Sequence, residues 1–191
     1  MSSKNLIPYD GECFYIQDFL KQDFFESIFQ KTQWRQDEIK LFGKNIPIPR
    51  LQAWYGDPGA TYQYSSITLT PTPWYKELTQ IKKLAEKELN TSFNSALLNY
   101  YETGRQYSAW HADNEKSLGE NPIIASISLG GDRMFHLRHR KTKETIKLNL
   151  SHNSLLIMQG PLQHHWIHQL AKTARPVEPR INITFRTIKD F

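Results

Sequence analysis

The sequence predicts a mainly β chain of the α+β class: two helices on a run of antiparallel strands that form a double-sheet roll of jelly-roll type. Three observations carry this reading. From Leu97 onward nearly every segment has strand character. Before it, only two stretches have helical spacing. Turn signals at Gly130-Gly131 and His152-Asn153 break the later strands at short intervals.

Taken in order, the first 35 residues alternate short apolar runs, and Phe19–Phe29 reads as an amphipathic helix through Phe19, Leu20, Phe24 and Ile28. A second helix, Trp74–Leu89, presents Trp74, Leu78, Ile81, Leu84 and Leu89 and is otherwise rich in Lys and Glu. Strands are predicted over Ala96–Tyr101, Ile123–Leu129, Met134–His139, Thr145–Leu150, Ser154–Met158, His165–His168 and Ile181–Thr187. Neither repeats nor low-complexity tracts interrupt the 191 residues, which suit a single domain. No stretch approaches the length of a membrane span and no signal peptide opens the chain. One cysteine, Cys13, excludes an internal disulfide framework and reads as a small packed hydrophobe. The expectation is a cytoplasmic protein, nuclear in a eukaryote and not secreted. Nothing demands a dimer, so a monomer is expected.

The formal charge of +5 is unevenly placed. Residues 1–98 hold eleven Lys/Arg against eleven Asp/Glu, and residues 99–191 thirteen against eight. Much of the excess sits at Arg133, Arg138, Arg140, Lys141, Lys143 and Lys147, a cluster suited to a phosphate backbone.

The chemistry concentrates in two patterns. In an extended strand, residues two apart face the same way, so His111 and Asp113 aim an imidazole and a carboxylate at one point. A later His completes a set of two His and one carboxylate, the arrangement of a non-haem Fe(II) oxygenase. Spacing alone leaves His164, His165 and His168 as choices for it. In the terminal strand, Arg180, Asn182, Thr184 and Arg186 share one face while Ile181, Ile183 and Phe185 share the other. Two fixed cations beside such a metal suit a dicarboxylate co-substrate, with 2-oxoglutarate the candidate.

With H-x-D followed by R-x-N-x-T-F-R, the chain resembles the AlkB family of Fe(II)- and 2-oxoglutarate-dependent nucleic-acid dealkylases. The nearest likeness is to the branch that contains the animal DNA repair members. It runs from Lys40 to Thr187 through LFGKNIPIPRLQAWYGDPGATYQYSSITLTPTPW, LLNYYETG, WHADNEKSLGENPIIASISLGG, SLLIMQG, HHWIH and PRINITFRT. The resemblance implies a double-stranded β-helix over residues 96–191, with helices, a finger and a nucleotide-recognition lid in residues 1–95. It selects His168 as the third metal ligand, leaving His164 and His165 beside the site or on the surface. It places Asn99, Tyr101, Arg180, Asn182 and Arg186 around 2-oxoglutarate, with Arg180 on the distal carboxylate and Arg186 and Asn182 at the 1-carboxylate end. O2 is the third reactant. The implied reaction is oxidative demethylation of bases such as 1-methyladenine and 3-methylcytosine in DNA, releasing formaldehyde, succinate and CO2.

For the substrate, the resemblance makes Leu41-Phe42-Gly43-Lys44 a finger whose Phe42 fills the gap left by a flipped base. Lys40, Lys44 and Arg50 would hold phosphates beside it. Tyr55, Tyr62 and Tyr64 fall in the lid, and Tyr64 matches the position that stacks on the base. Close relatives carry a further Asp and then Glu after H-x-D, whereas this chain has Asn114 and Glu115. An Asn lacks the charge that favours a cationic methylated base. Both are expected at the target base. RNA is the alternative nucleic acid, and a protein side chain the alternative substrate class. A protein needs neither the finger nor the stacking tyrosines.

Overall fold

The computed structural model describes residues 4–41, 43–64 and 67–189, with the backbone alone at residues 40, 41, 62–64 and 67–69. Two antiparallel sheets face one another. The larger contains β1 (Glu12–Ile16), β12 (Ser154–Gln159), β9 (Ile124–Gly130), β14 (Arg180–Arg186), β7 (Ser95–Tyr101) and β4 (Leu51–Gly56), in that order. The smaller contains β11 (Thr145–Leu150), β10 (Arg133–His139), β13 (Trp166–Leu170) and β8 (Ser108–His111). Two short hairpins stand apart, β2 (Glu38–Leu41) with β3 (Lys44–Pro47) and β5 (Tyr62–Tyr64) with β6 (Ile67–Leu69). This is the predicted jelly-roll, and the seven strands predicted from Ala96 onward each fall within two residues of their predicted bounds, while β8 was not among them.

Alternation decides what each face of the large sheet meets. Ile181, Ile183 and Phe185 of β14, with Ala96 and Leu98 of β7 and Ala125, Ile127 and Leu129 of β9, turn outward onto α1 (Phe25–Lys31) and α2 (Lys76–Leu89). Burial there supplies most of the folding drive, at about 25 cal/mol for each Å² of apolar surface removed from water. The inner faces close one end of the roll with a second cluster that includes Cys13, Ile124, Leu137, Leu156, Met158 and Trp166. Cys13 is fully buried, and burial pushes its thiol up to about 12. It is the packed hydrophobe that its sequence context suggested. No helix among the described residues is long and apolar enough to cross a membrane.

Several readings need correction. The first helix starts at Phe25 rather than Phe19, because Asp18 takes a left-handed φ of 50° and the Asp23 carboxylate accepts the Phe25 N–H. Leu20 and Phe24 are nevertheless buried. In α2 the buried stripe is Leu78, Ile81 and Ala85, and Leu84 is exposed, since positions 78, 81 and 85 follow the helical period and 84 lies beside it. The helix ends at Asn90, which adopts the left-handed conformation that stops helices. His165 closes a short helix, α3 (Leu162–His165), so the strand begins at Trp166. At the turn after β9, Gly130 has φ +83° and a Cβ there would lie 2.2 Å from the Pro179 carbonyl oxygen, so only glycine fits.

Candidate active site

A pocket opens between the sheets and abuts the second apolar cluster, whose Phe135, Leu150 and Met158 line it. Its floor is set by register. Across the large sheet, Gln52 pairs with Asn99, Asn99 with Asn182, Asn182 with Ser128 and Ser128 with Ser154. A row of polar side chains therefore crosses five strands of the large sheet. Such a row is tolerated because its members bond polar groups beside it, Gln52 with Asp37, Asn99 with Arg50, Ser128 with Arg180 and Ser154 with the Ser151 carbonyl. Asn182 Nδ2 donates to Ser126 Oγ (2.8 Å) and to the Ile127 carbonyl (3.1 Å), while its Oδ1 accepts from Thr184 Oγ1 (3.0 Å).

The wall opposite carries the metal-ligand set. His111 and His168 are directly paired across β8 and β13, with ring centroids 4.3 Å apart. One ligand atom from each of His111, Asp113 and His168 lies within 4.8 Å of the others. Between the pairs His168↔His111 and Leu170↔Ser108, β8 has one residue more than β13. That bulge turns both Ser108 and His111 into the pocket. The prediction of one strand through His111 and Asp113 is corrected, because β8 ends at His111. Asp113 is instead held by two long-range bonds. Its N–H donates to Gln163 Oε1 (2.9 Å), and its Oδ1 accepts from Arg186 Nη2 (2.8 Å). Both side chains of the Asp113–Arg186 pair are 4% exposed.

Electrostatics keep this set ready for a cation. Burial raises the carboxyl of Asp113, but Arg186 and the two imidazoles outweigh it and hold the group below its ordinary value. Burial pulls His168 down to about 3 and lowers His111 as well. His111 Nδ1 lies 2.7 Å from the Ala109 carbonyl, which accepts its proton and leaves Nε2 free to ligate. His168 Nδ1 is buried without a hydrogen-bond partner among the described residues. An orphaned imidazole nitrogen within a His, Asp, His set fits a bound Fe(II).

The neutral imidazole of His168 has a consequence for the metal-free chain. Its folded pKa lies below the unfolded value of about 6.5, so the unfolded chain takes up a proton that the folded one refuses. Stability is complete above that pH and falls as pH drops toward about 3, by about 1.4 kcal/mol per unit for this ring. Asp113 holds its charge through most of that window, because its own pKa is depressed. Urea unfolding at pH 7, 6 and 5 with chelator present measures the slope, and a His168→Asn chain should show a shallower one.

Two arginines bound the floor. Arg180 is 2% exposed, donates from Nη2 to Ser128 Oγ (2.9 Å), and lies 5.5 Å from the centre of the Tyr101 ring. Burial brings it down to about 10, which leaves it cationic at neutral pH. Arg180 Nε has no hydrogen-bond partner among the described residues. Arg50 was placed by sequence among phosphate contacts beside the finger. Instead it is 8% exposed and lines the pocket, donating from Nε to Asn99 Oδ1 (2.6 Å) and from Nη1 to the Tyr107 carbonyl (3.3 Å). Its place two residues before Gln52, just ahead of β4, was the available signal. Gln163, fully buried, was missed altogether and had no local signal. Replacing Gln163 with Leu removes the acceptor for the Asp113 N–H. The expected result is an affinity for Mn²⁺, read by calorimetry, that falls by about 10–100-fold.

Outside the pocket the readings divide. Arg133 is no surface cation: it is 2% exposed and its guanidinium donates to the carbonyls of Thr103, Gln106 and Ala171. Arg138 stays outside, over the ring of Trp110 at 4.2 Å. Tyr55 belongs to the core rather than to a lid, with its hydroxyl accepting the Gln33 N–H and its ring edge-on to Tyr75. Tyr62 and Tyr64 are two residues apart on β5, whose backbone alone is described. Phe42 lies outside the described residues; its neighbours Leu41 and Lys44 pair across the hairpin, and Gly43 has φ +77° with open space around it. Asn114 is exposed and Glu115 half-buried. His164 bonds the Glu120 carbonyl, and His165 stacks against His139 at 6.2 Å.

A jelly-roll with two His and one carboxylate inside, facing buried arginines, defines the class of 2-oxoglutarate- and Fe(II)-dependent oxygenases. A sequence model of the 2OG-Fe(II) oxygenase superfamily matches residues 13–186, and the chain belongs to that superfamily, whose reactants are Fe(II), 2-oxoglutarate and O2. Within it the chain is a member of the AlkB family, near the animal branch. It is 40% identical over 174 residues to alpha-ketoglutarate-dependent dioxygenase alkB homolog 3 of Bos taurus, covering 86% of this chain and 60% of that one. It is 40% identical over 159 residues to DNA oxidative demethylase ALKBH2 of Mus musculus, covering 79% and 66%. The Homo sapiens ALKBH2 protein is 35% identical over 192 residues, covering 93% and 73%. The chain thus spans about two thirds of the length of these relatives. The solved structure of OsALKBH1 superposes with a TM-score of 0.67 at 18% identity, covering 92% of this chain and 97% of that one, which establishes the fold.

Proposed function

We propose that this chain oxidatively removes methyl groups from ring nitrogens of bases in DNA, of the 1-methyladenine and 3-methylcytosine type. The observation that carries the reading is the His111, Asp113, His168 set opposite buried Arg180, in a chain 40% identical to a DNA oxidative demethylase. When bound, Fe(II) with O2 and 2-oxoglutarate supplies the oxidation: the co-substrate leaves as succinate and CO2, and the methyl carbon leaves as formaldehyde.

The chain's own residues do the rest. His111, Asp113 and His168 hold the metal. Arg180 takes the distal carboxylate of 2-oxoglutarate, its fork matching the two oxygens. Arg50 holds Asn99 by its Oδ1, which directs the Asn99 amide N–H groups toward the co-substrate. Tyr101 shapes the same wall. Arg186 serves the 1-carboxylate end only so far as its bond to Asp113 allows, and Asn182, whose polar atoms are already engaged, sets the floor. A target base enters only after leaving its stack. Tyr62 and Tyr64 receive it on one face, Asn114 and Glu115 stand along its edge, and Phe42 fills the vacated space. The buried Glu115 Oε2 has no hydrogen-bond partner and so can accept from a base amino group. On this reading the partner is nucleic acid, the protein acts as a monomer, and its place is the cytoplasm or the nucleus.

The test is formaldehyde release from matched oligonucleotides carrying one 1-methyladenine, as duplex and as single strand, with Fe(II), ascorbate and with or without 2-oxoglutarate. Release that needs 2-oxoglutarate is the expected result. Succinate without formaldehyde on DNA sends the substrate to etheno adducts, RNA or protein. In a Phe42→Ala chain, duplex turnover should fall while single-strand turnover stays. Equal activity on both would reject the finger.

A further inference from the structure

We propose that Asp10, His139 and His165 form a second cation site, separate from the pocket, that takes a transition-metal dication such as Zn²⁺. The three come from three parts of the chain: the turn before β1, the end of β10 and the end of α3. One ligand atom from each lies within 4.8 Å of the others. Two imidazoles and a carboxylate suit Zn²⁺, Ni²⁺ or Cu²⁺, whereas Mg²⁺ and Ca²⁺ prefer oxygen alone.

His139 anchors the site. It is 3% exposed, with the Tyr9 ring edge-on at 5.1 Å and the Trp166 ring at 5.0 Å, so its imidazole is fixed. Its Nε2 is 3.1 Å from Asp10 Oδ2. Two donors that each sit about 2.0–2.2 Å from one ion are about 3 Å apart, so this pair is already spaced to share one. His165 and Asp10 are exposed, and the His165 ring lies nearly parallel to that of His139, which lets it close on the ion by rotation.

A second observation is the hydrogen-bond chain behind His139. Tyr9 donates its hydroxyl proton to Glu144 Oε2 (2.7 Å), so the Thr142 hydroxyl donates to Tyr9 (2.9 Å). The remaining lone pairs of Thr142 Oγ1 face His139 Nδ1 at 3.0 Å. A ligating His commonly donates its other ring N–H to such an acceptor. Without metal, the Thr142 N–H also points at Nδ1 and keeps the proton on Nε2, toward Asp10. Loading exchanges the tautomer: Nε2 gives up its proton to solvent and Nδ1 takes one, which it donates to Thr142 Oγ1, while the N–H of exposed Thr142 leaves Nδ1 for water. No net proton is released by this ring. The bound ion ties residue 10 to β10 and α3, and His165 lies three residues before His168.

The experiment is calorimetric titration of the metal-stripped 191-residue chain with Zn²⁺ alone. The wild type should bind two ions, one in the pocket and one here. His165→Ala and Asp10→Asn, both at exposed positions, should each bind one with useful affinity, the second weakened by more than the roughly 10–100-fold that loss of a ligand's supporting hydrogen bond costs. His111→Ala should also bind one, and His111→Ala with His165→Ala none. Unchanged unfolding of the metal-free Asp10 and His165 variants certifies their fold. A wild type that binds one ion, or a His165→Ala chain that still binds two, overturns the proposal.

Discussion

An Asp113→Ala chain should lose metal retention and turnover together while its affinity for nucleic acid survives. The carboxylate is the single anionic ligand among His111, Asp113 and His168, and the other two ligands are neutral at working pH because burial keeps them so. Removing it deletes a direct ligand, so the loss in metal affinity should exceed about 100-fold, the upper range for losing a ligand's supporting partner. The same change touches the fold. Arg186 and Asp113 are both 4% exposed, and removing one partner of a buried pair costs about 3–5 kcal/mol, because the surviving charge keeps its desolvation penalty. The metal-free variant should therefore unfold at lower urea than wild type. Adding Arg186→Met should restore much of that stability and none of the metal binding. Mn²⁺ calorimetry, urea unfolding and formaldehyde release separate the three effects. Metal affinity that survives in Asp113→Ala would remove Asp113 from the site.

How much of this was legible depends on the range of the interaction. The faces of β14 were readable because a strand alternates strictly, and Arg180, Asn182, Thr184 and Arg186 differ sharply in chemistry from Ile181, Ile183 and Phe185. The pair His111 and His168 was readable as residue types, though not as cross-strand neighbours. Asp113 was placed correctly in the site for the wrong reason. The strand stops at His111, and the carboxylate is aimed by Arg186, 73 residues away, and by Gln163, 50 residues away. No local pattern encodes such contacts. Arg50 and Arg133 show the same limit from the other side: a cation in a list of cations reads as surface until the fold supplies its carbonyl or amide acceptors. Among the early strands, β2, β3, β5 and β6 escaped notice because each has only three or four residues, and β3 is exposed along its length; β4, buried at five of its six positions, shows no alternation to read.

Replacing Arg180 with Lys should raise the KM for 2-oxoglutarate by about 10–100-fold and leave kcat close to wild type. Arg180 stands on a central strand, flanked by β7 and β9, so its backbone is held on both sides. Its guanidinium is positioned by Ser128 and by the Tyr101 ring, and its Nε has no partner among the described residues. A buried cation with an unspent donor is costly in isolation and calls for an anion. The planar fork can give two parallel bonds to a carboxylate, whereas an ammonium gives one point contact. A hydrogen bond to a charged group contributes about 1.5–3 kcal/mol, so losing one of two corresponds to roughly that range of KM. The distal carboxylate does not react, so its contact is the same before and during the chemistry, and the penalty falls on binding rather than on kcat. Saturating 2-oxoglutarate should then recover most of the turnover, and the KM for the methylated oligonucleotide should stay unchanged. Arg186→Lys should behave differently, since its partner is Asp113 and its loss is felt in metal affinity. A KM for 2-oxoglutarate that does not move in Arg180→Lys would mean that the co-substrate lies elsewhere in the pocket.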